Sequence, residues 1–298
     1  MTQRRLTTLL GDYPGTLALK KGDVRSEKIA FDFADVKVPS SAFKRVVRDV
    51  DFDVGELAVF TYIIARAFDK PLELLPVVLL ARFQHSYLLY NAERGVIKPS
   101  DLNGRRIGIR SYSVTTSAWL RGLLQADAGV DPKSITWVTF EDPHVAEFKD
   151  PPNVERAAAD KELTQMLFAG EIDAMVGTDR LAKDDRLKTV FPDPAAAAQE
   201  WHKRYGAIQI NHMVTVKRSL LDTDPQAVRE VYRLLRESNN AAKNAAPPAE
   251  GGIDLTPVGL EANRRNLDVA IEYSYRQGLI PKRFSVEELF DPRILAMG

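Results

Sequence analysis

Short apolar runs bounded by turn residues alternate along this chain with longer segments whose apolar positions recur every three or four residues. The first periodicity is that of strands and the second that of amphipathic helices. Residues 5–10 form a β-rich run that stops at Gly11-Asp12-Tyr13-Pro14-Gly15, a strong turn signal. Residues 28–33 alternate as a second strand. Residues 40–48 open with a Ser cap and carry Phe43, Val46 and Val47 at helical spacing. A strand is predicted over 52–56, a helix over 57–67, and over 74–81 a strand apolar enough to be buried on both faces. Further strands are predicted over 134–140, 171–176 and 208–216, with a short apolar run at 187–191. Helices are predicted over 160–169, 195–204, 224–240 and 260–277. Segments 141–160 and 245–252 read as loops, and Ser285 with Glu288 forms a capping box before a last helix. Strands alternating with helices predict an α/β fold with mainly parallel sheets.

One stretch carries more chemistry than the rest. Residues 102–121, LNGRRIGIRSYSVTTSAWLR, read as a turn at Asn103-Gly104, a strand over 106–109, a polar loop over 110–116, and then a helix. A Ser/Thr loop entering a helix offers free backbone N–H groups, hydroxyl donors and the positive end of the helix dipole. Arg110 adds a full charge, so the loop suits a carboxylate or phosphate. The structural alternative is an ordinary N-cap, where Ser and Thr are favoured anyway.

Composition narrows the function classes. Lys+Arg and Asp+Glu both count 41 in 298 residues, so no net basic charge points to nucleic acid or an anionic membrane surface. No cysteine is present, which excludes disulfides, thiolate catalysis and Cys-ligated metals. The longest apolar stretch, 72–81, contains Glu73 and Pro76 and is too short to span a bilayer. The N-terminal run over 6–10 is too short and too broken by Thr for a secretory leader, so a cytoplasmic location is expected.

Several spaced segments then form an ordered set: GDY at 11–13, FDVGEL at 52–57, FQHS at 83–86, DLNGRRIGIRSYSVTTSAWLRG at 101–122, GVD at 129–131 followed by ITW at 135–137, LFAGEIDAM at 167–175, LKTVFPD at 187–193 and INHM at 210–213. In this order they resemble the 4,5-dihydroxyphthalate decarboxylase family and, more broadly, the type 2 periplasmic-binding-protein fold. The resemblance implies a two-lobed α/β fold with a central cleft and two crossing strands, near 86–91 and 206–211. It assigns 1–88 together with 210–298 to lobe one and 89–209 to lobe two. Cleft sites in such sheets sit at the carboxyl ends of strands. The turns holding Asp12-Tyr13, Glu56, His85-Ser86, 110–116, Thr178-Asp179 and Asn211-His212 are then expected to converge. The chain departs from the family pattern at Gln84, where Arg is usual before His-Ser. It departs again at Arg110-Ser111-Tyr112, where an acidic residue usually precedes the aromatic. A third departure is Gln209-Ile210-Asn211, where Phe-Pro and Met usually precede the last His. An aromatic acid other than 4,5-dihydroxyphthalate is therefore compatible with the resemblance.

The implied activity is cofactor-independent decarboxylation of 4,5-dihydroxyphthalate to protocatechuate, or of a close analogue. Such chemistry needs a holder for the retained carboxylate, a base for the phenol and a proton for the ring carbon. His85 and His212 are the natural acid–base pair, because imidazole titrates near neutral pH. Glu56 is placed to orient a His or take a phenol proton. Asp12, Tyr13, Arg82, Ser86, Arg110, Ser111, Ser113, Thr115, Thr116 and Asn211 are the candidate substrate contacts. Each has a structural alternative. A His beside Ser at the end of an apolar strand is often a buried core residue, and Asp12 can make an Asx-turn. Arg82 and Arg121 read equally as surface charges, the aromatics as core, and His144 and His202 as solvated. His85, His212 and a carboxylate would make a two-His-one-carboxylate metal set, but no local spacing supports it and no metal is expected. The alternative function is a solute-binding protein of an ABC importer for a small organic anion. A third is a biosynthetic enzyme of menaquinone or thiamine precursors on the same fold. The expected partner is a small aromatic carboxylate. Helix 260–277, with Tyr273, Tyr275 and the Leu279-Ile280 tail, is expected either to dock on a neighbouring copy or to pack on lobe one.

Overall fold

A computed structural model describes residues 3–178, 181, 184–246 and 252–297. Asp179 and most of the 245–252 loop lie outside the described residues. The chain divides into two compact units. The first comprises Met1–Arg82, Ile210–Ile271 and Lys282–Gly298, and the second Phe83–Gln209 and Glu272–Pro281.

The first unit is built on a five-stranded sheet. Its strands are β1 (Arg4–Leu9), β2 (Ile29–Phe33), β3 (Val54–Ala58), β4 (Leu72–Ala81) and β11 (Ile210–Lys217), in the spatial order β2-β1-β3-β11-β4. β1 runs parallel to β2 and β3, whereas β11 is antiparallel to both of its neighbours. Helices α1 (Pro14–Lys21), α2 (Val59–Ala67), α6 (Arg218–Thr223) and α7 (Pro225–Ala245) belong to this unit. The second unit has six strands in the order β10-β5-β9-β6-β7-β8. They are β5 (Leu88–Asn91), β6 (Arg106–Ile109), β7 (Thr136–Thr139), β8 (Val154–Arg156), β9 (Ala174–Val176) and β10 (Leu187–Thr189). Its helices are α3 (Thr115–Ala128), α4 (Leu163–Ala169) and α5 (Pro194–Tyr205). β5 is antiparallel to both β9 and β10.

The sheets are thus mainly parallel, as expected, with one reversed strand in each, β11 in the first unit and β5 in the second. β5 and β11 are the strands by which the chain enters one unit from the other. An entry strand is not fed by a crossover helix of its own sheet, so the constraint that makes successive strands parallel does not act on it.

Three local features differ from the sequence expectations. Pro14-Gly15 opens α1 instead of closing a turn, because Pro at the first helical position lacks only an N–H that would have no helical partner. Gly22, at φ 80°, ends that helix in the left-handed region. Residues 39–49 form a 3₁₀ turn, Pro39–Ala42, and a π-helical turn, Arg45–Asp49, instead of one α-helix. β8 lies inside the segment read as a loop; it is a three-residue, mostly polar strand at the sheet edge, with no apolar alternation to reveal it.

The second unit's core holds Trp119, Trp137 and Trp201, all essentially buried. Helix α8 (Leu260–Arg276) delivers Tyr273 to it, whose ring lies edge-on to Trp119 with centroids 5.6 Å apart and whose hydroxyl accepts from Trp201 Nε1 at 3.2 Å. This is why 272–281 groups with the second unit and not, as expected, with the first. Tyr275 stays exposed. Gln277 accepts from Arg121 Nε at 2.8 Å and donates to the Ala118 carbonyl at 2.9 Å. Arg121 is accordingly no surface charge. It is fully buried, its Nη2 bonded to the Tyr112 carbonyl at 2.7 Å and its guanidinium 3.7 Å from the Tyr112 ring centroid. His144 is also buried instead of solvated, and His202 is half-buried with Nδ1 2.8 Å from the Ala207 carbonyl oxygen. No helix of the described residues is long and apolar enough to cross a membrane.

Gly122 lies in the middle of α3 because the Tyr273 ring covers it. A Cβ there would stand 2.0 Å from Tyr273 Cδ2. Gly122→Ala is expected to destabilise the protein by about 1–3 kcal/mol, the overpacking cost outweighing the roughly 1 kcal/mol helix-propensity gain. A denaturant melt checks this; an unchanged or raised midpoint would show that the ring moves aside freely.

Candidate functional site

In the first unit, strand pairing places an acid and an imidazole side by side. β11 pairs antiparallel with β3 so that His212 faces Ala58 and Val214 faces Glu56. Glu56 and His212 are therefore diagonal neighbours on one face of the sheet, within reach of long side chains. His212 Nδ1 is 2.6 Å from Glu56 Oε1. Tyr13, the residue that caps α1, donates its hydroxyl to the same Oε1 at 2.6 Å and lies 3.5 Å from His212 Nδ1. The Gly11 N–H donates to Glu56 Oε2 at 2.8 Å. Gly11 must be small here, because a Cβ would meet the Tyr13 ring at 2.6 Å.

Glu56 has no exposed surface, so its charge is sustained by these donors. The network assigns the His212 proton to Nδ1, leaving Nε2 with its lone pair and with no hydrogen bond among the described residues. His212 keeps 15% side-chain exposure, and Phe43 packs edge-on against its ring at 5.0 Å. Burial, then the nearby Glu56 charge, raises the Tyr13 phenol far above its ordinary range, while Arg82 pulls weakly the other way. Tyr13 therefore stays a donor at any working pH. Asp12 is exposed and pairs with Lys20 on α1. Asn211 is buried and Arg82 half-buried.

In the second unit, His85 opens a 3₁₀ turn, His85–Tyr87, that packs against α3, α5 and β10. The ring is 1% exposed, stands edge-on to Phe191 at 5.1 Å, and neither ring nitrogen has a hydrogen-bond partner. Burial pushes its pKa down to about 4, so the imidazole is neutral around pH 7. Ser86 is half-buried. In the 110–116 segment, Ser111, Ser113 and Thr115 are buried and Thr116 is half-buried. The N-cap of α3 is Val114, which has no capping side chain, so the alternative of an ordinary Ser/Thr cap does not account for these hydroxyls. Arg110 is partly exposed and lies 3.7 Å from Glu141. The hydroxyls of Ser111 and Ser117 are buried without partners.

The first unit therefore joins Tyr13, Glu56 and His212 in one hydrogen-bonded cluster. Sequence reasoning missed Gly11 and Phe43 as its other members. It also missed Ser117, which shares a helix face with Arg121 four residues on, the residue read from the sequence as a surface charge. Among the described residues, no group of three or more His, Asp or Glu is placed to hold a metal ion.

Comparisons with known proteins bear on this arrangement. A family model described as NMT1/THI5 like matches residues 61–247. A 4,5-dihydroxyphthalate decarboxylase from Comamonas testosteroni is 28% identical over an alignment covering 99% of this chain and 98% of that protein. Among solved structures, the periplasmic aliphatic sulphonate binding protein SsuA from Escherichia coli superposes with a TM-score of 0.60 at 15% identity, covering 98% of this chain and 92% of that one. The desulfurization enzyme DSZB superposes with a TM-score of 0.55 at 15% identity, covering 99% and 98%. The fold is thus that of the type 2 periplasmic-binding proteins, and it hosts both a binding protein and an enzyme.

The His85 environment makes stability depend on pH. The unfolded His titrates near 6.5 and the folded one near about 4, so between these values the unfolded state holds the extra proton. Stability rises with pH wherever the unfolded chain binds more protons. The contribution of His85 is therefore fully present above pH 6.5 and is lost as pH falls toward about 4. Urea melts from pH 7.5 to pH 4 should show a steeper loss in the wild type than in His85→Gln. Equal slopes would mean that the ring is solvated.

Proposed function

The chain belongs to the NMT1/THI5-like family, and on that premise we propose that it is a carboxy-lyase releasing CO2 from a hydroxylated aromatic carboxylate, 4,5-dihydroxyphthalate or a close analogue. The observation that carries this reading is the Glu56–His212–Tyr13 cluster, supported by the near full-length match to a decarboxylase of that name. A binding protein needs no buried carboxylate holding one tautomer of a His; an acid–base catalyst does.

The reaction needs no organic cofactor. His212 Nε2 accepts the proton of the phenol para to the departing carboxylate. Glu56 holds Nδ1 and stabilises the imidazolium that forms, as carboxylate partners of catalytic His do elsewhere. The electron-rich ring takes a proton from solvent at the carboxylate-bearing carbon, interrupting aromaticity. The C–CO2 bond then breaks, its electron pair restores the ring, and the phenolate is reprotonated. The net change is one proton taken up at carbon and one CO2 released. Tyr13, held protonated, fixes Glu56 from the other side. In the second unit, the buried hydroxyls of Ser111, Ser113 and Thr115 at the start of α3 are suited to a carboxylate.

The likeness to a sulphonate-binding protein favours a second reading, a solute-binding protein for a small organic anion. Incubating the protein with hydroxylated phthalates and benzoates, while following CO2 and ring absorbance, separates the two. Tight binding without turnover favours the second.

His212→Ala is expected to lower kcat/KM by roughly 10²–10⁴-fold, the range for a positioned general base, and to lower the melting temperature as well, because it takes one donor from the buried Glu56 carboxylate. Glu56→Gln should lower both activity and stability, since it weakens three hydrogen bonds to a buried carboxylate. Full activity in both variants would remove the acid–base assignment.

A further inference from the structure

We propose that His85 is a ligand-binding group that works as a neutral imidazole, giving one N–H to a substrate oxygen instead of carrying the reaction's proton. This deepens the reading above and rests on its substrate class.

A neutral imidazole always presents one donor and one acceptor nitrogen. Both are buried and unpartnered in His85. Among the described residues, it is the one side chain with two such atoms. Buried polar groups of native proteins are almost always satisfied, so an exception of this size asks for a partner from outside the chain. The surroundings favour a ligand. The His85 turn packs on α3, and the buried hydroxyls of Ser117 on α3 and of Ser111 just before it also lack partners. Three orphaned polar side chains on adjoining elements of one unit match the oxygen-rich edge of a hydroxylated benzoate.

Burial sets the protonation state, with Phe191 edge-on to the ring. No charged group acts on the ring; burial alone lowers its affinity for a proton, to a pKa of about 4. At pH 7 only about 0.1% of such a group is protonated. It is a poor proton source and a good neutral donor. This parts His85 from His212, which has a carboxylate on one nitrogen and a free lone pair on the other.

The test combines kinetics with ¹⁵N NMR of the histidine rings. The chain has four histidines, so single His→Gln variants assign the signals. We expect the His85 ring to keep the neutral pattern from pH 8 to pH 5. His85→Phe should raise KM about 10- to 100-fold, the weight of one hydrogen bond to a charged oxygen, and change kcat less. His85→Gln, which keeps an N–H donor, should recover part of that loss. His85→Phe with unchanged KM, or a His85 ring that protonates near pH 6.5 together with a fall in kcat alone, overturns the proposal. If His85→Phe does not fold by circular dichroism, the Gln variant and the NMR titration decide in the same terms. A wild type that turns over no hydroxylated aromatic carboxylate overturns the substrate class itself, and this proposal with it.

Discussion

A single buried carboxylate organises the first unit's candidate chemistry. Glu56 lies wholly inside the protein and accepts from the Gly11 amide, the Tyr13 hydroxyl and the His212 imidazole. A buried charge without donors is costly enough that the group would neutralise. With three donors it becomes a fixed point instead. It ties the loop after β1 to the start of α1 and to β11, which are far apart in sequence. It also selects the tautomer of His212 and leaves the outer nitrogen available.

The two histidines singled out as an acid–base pair sit in opposite environments. His212 is partly exposed and paired with a carboxylate. His85 is sealed against Phe191 and α3 with nothing to hold its proton. Burial lowers the proton affinity of His85 and leaves both its nitrogens unpartnered, whereas His212 holds a carboxylate on one ring nitrogen. That difference is the ground for giving the proton chemistry to one and ligand binding to the other.

The second unit is held by a different device. Trp119 stands edge-on to both Trp201 and Tyr273, and Arg121 is buried with its guanidinium over Tyr112 and two of its nitrogens donating to an amide and a backbone oxygen. The C-terminal part of α8 completes this core, so a segment close to the end of the chain packs with residues near its middle. Gly122 is the point where that late segment meets α3. The same helix begins beside the Ser111–Thr115 hydroxyls, so its packing positions them.

The alternation of apolar runs determined by itself most strands and helices, because period-two and period-3.6 patterns reflect local burial that each segment must satisfy wherever it lands. The 102–121 segment was legible as a strand, a polar loop and a helix for the same reason. Glu56, His85 and His212 are singled out by the resemblance to the decarboxylase family and by the titration range of imidazole, not by apolar patterning. Tertiary structure alone decided what those residues are. The bond between Glu56 and His212 exists because β11 pairs with β3 across more than half the chain, a register no local window contains. The isolation of His85, the burial of Arg121 and His144, and the grouping of 272–281 with the second unit are likewise long-range packing outcomes. Local sequence states which groups are polar; only the assembled fold fixes which of them lose water and which acquire a partner, and proton affinity follows from both.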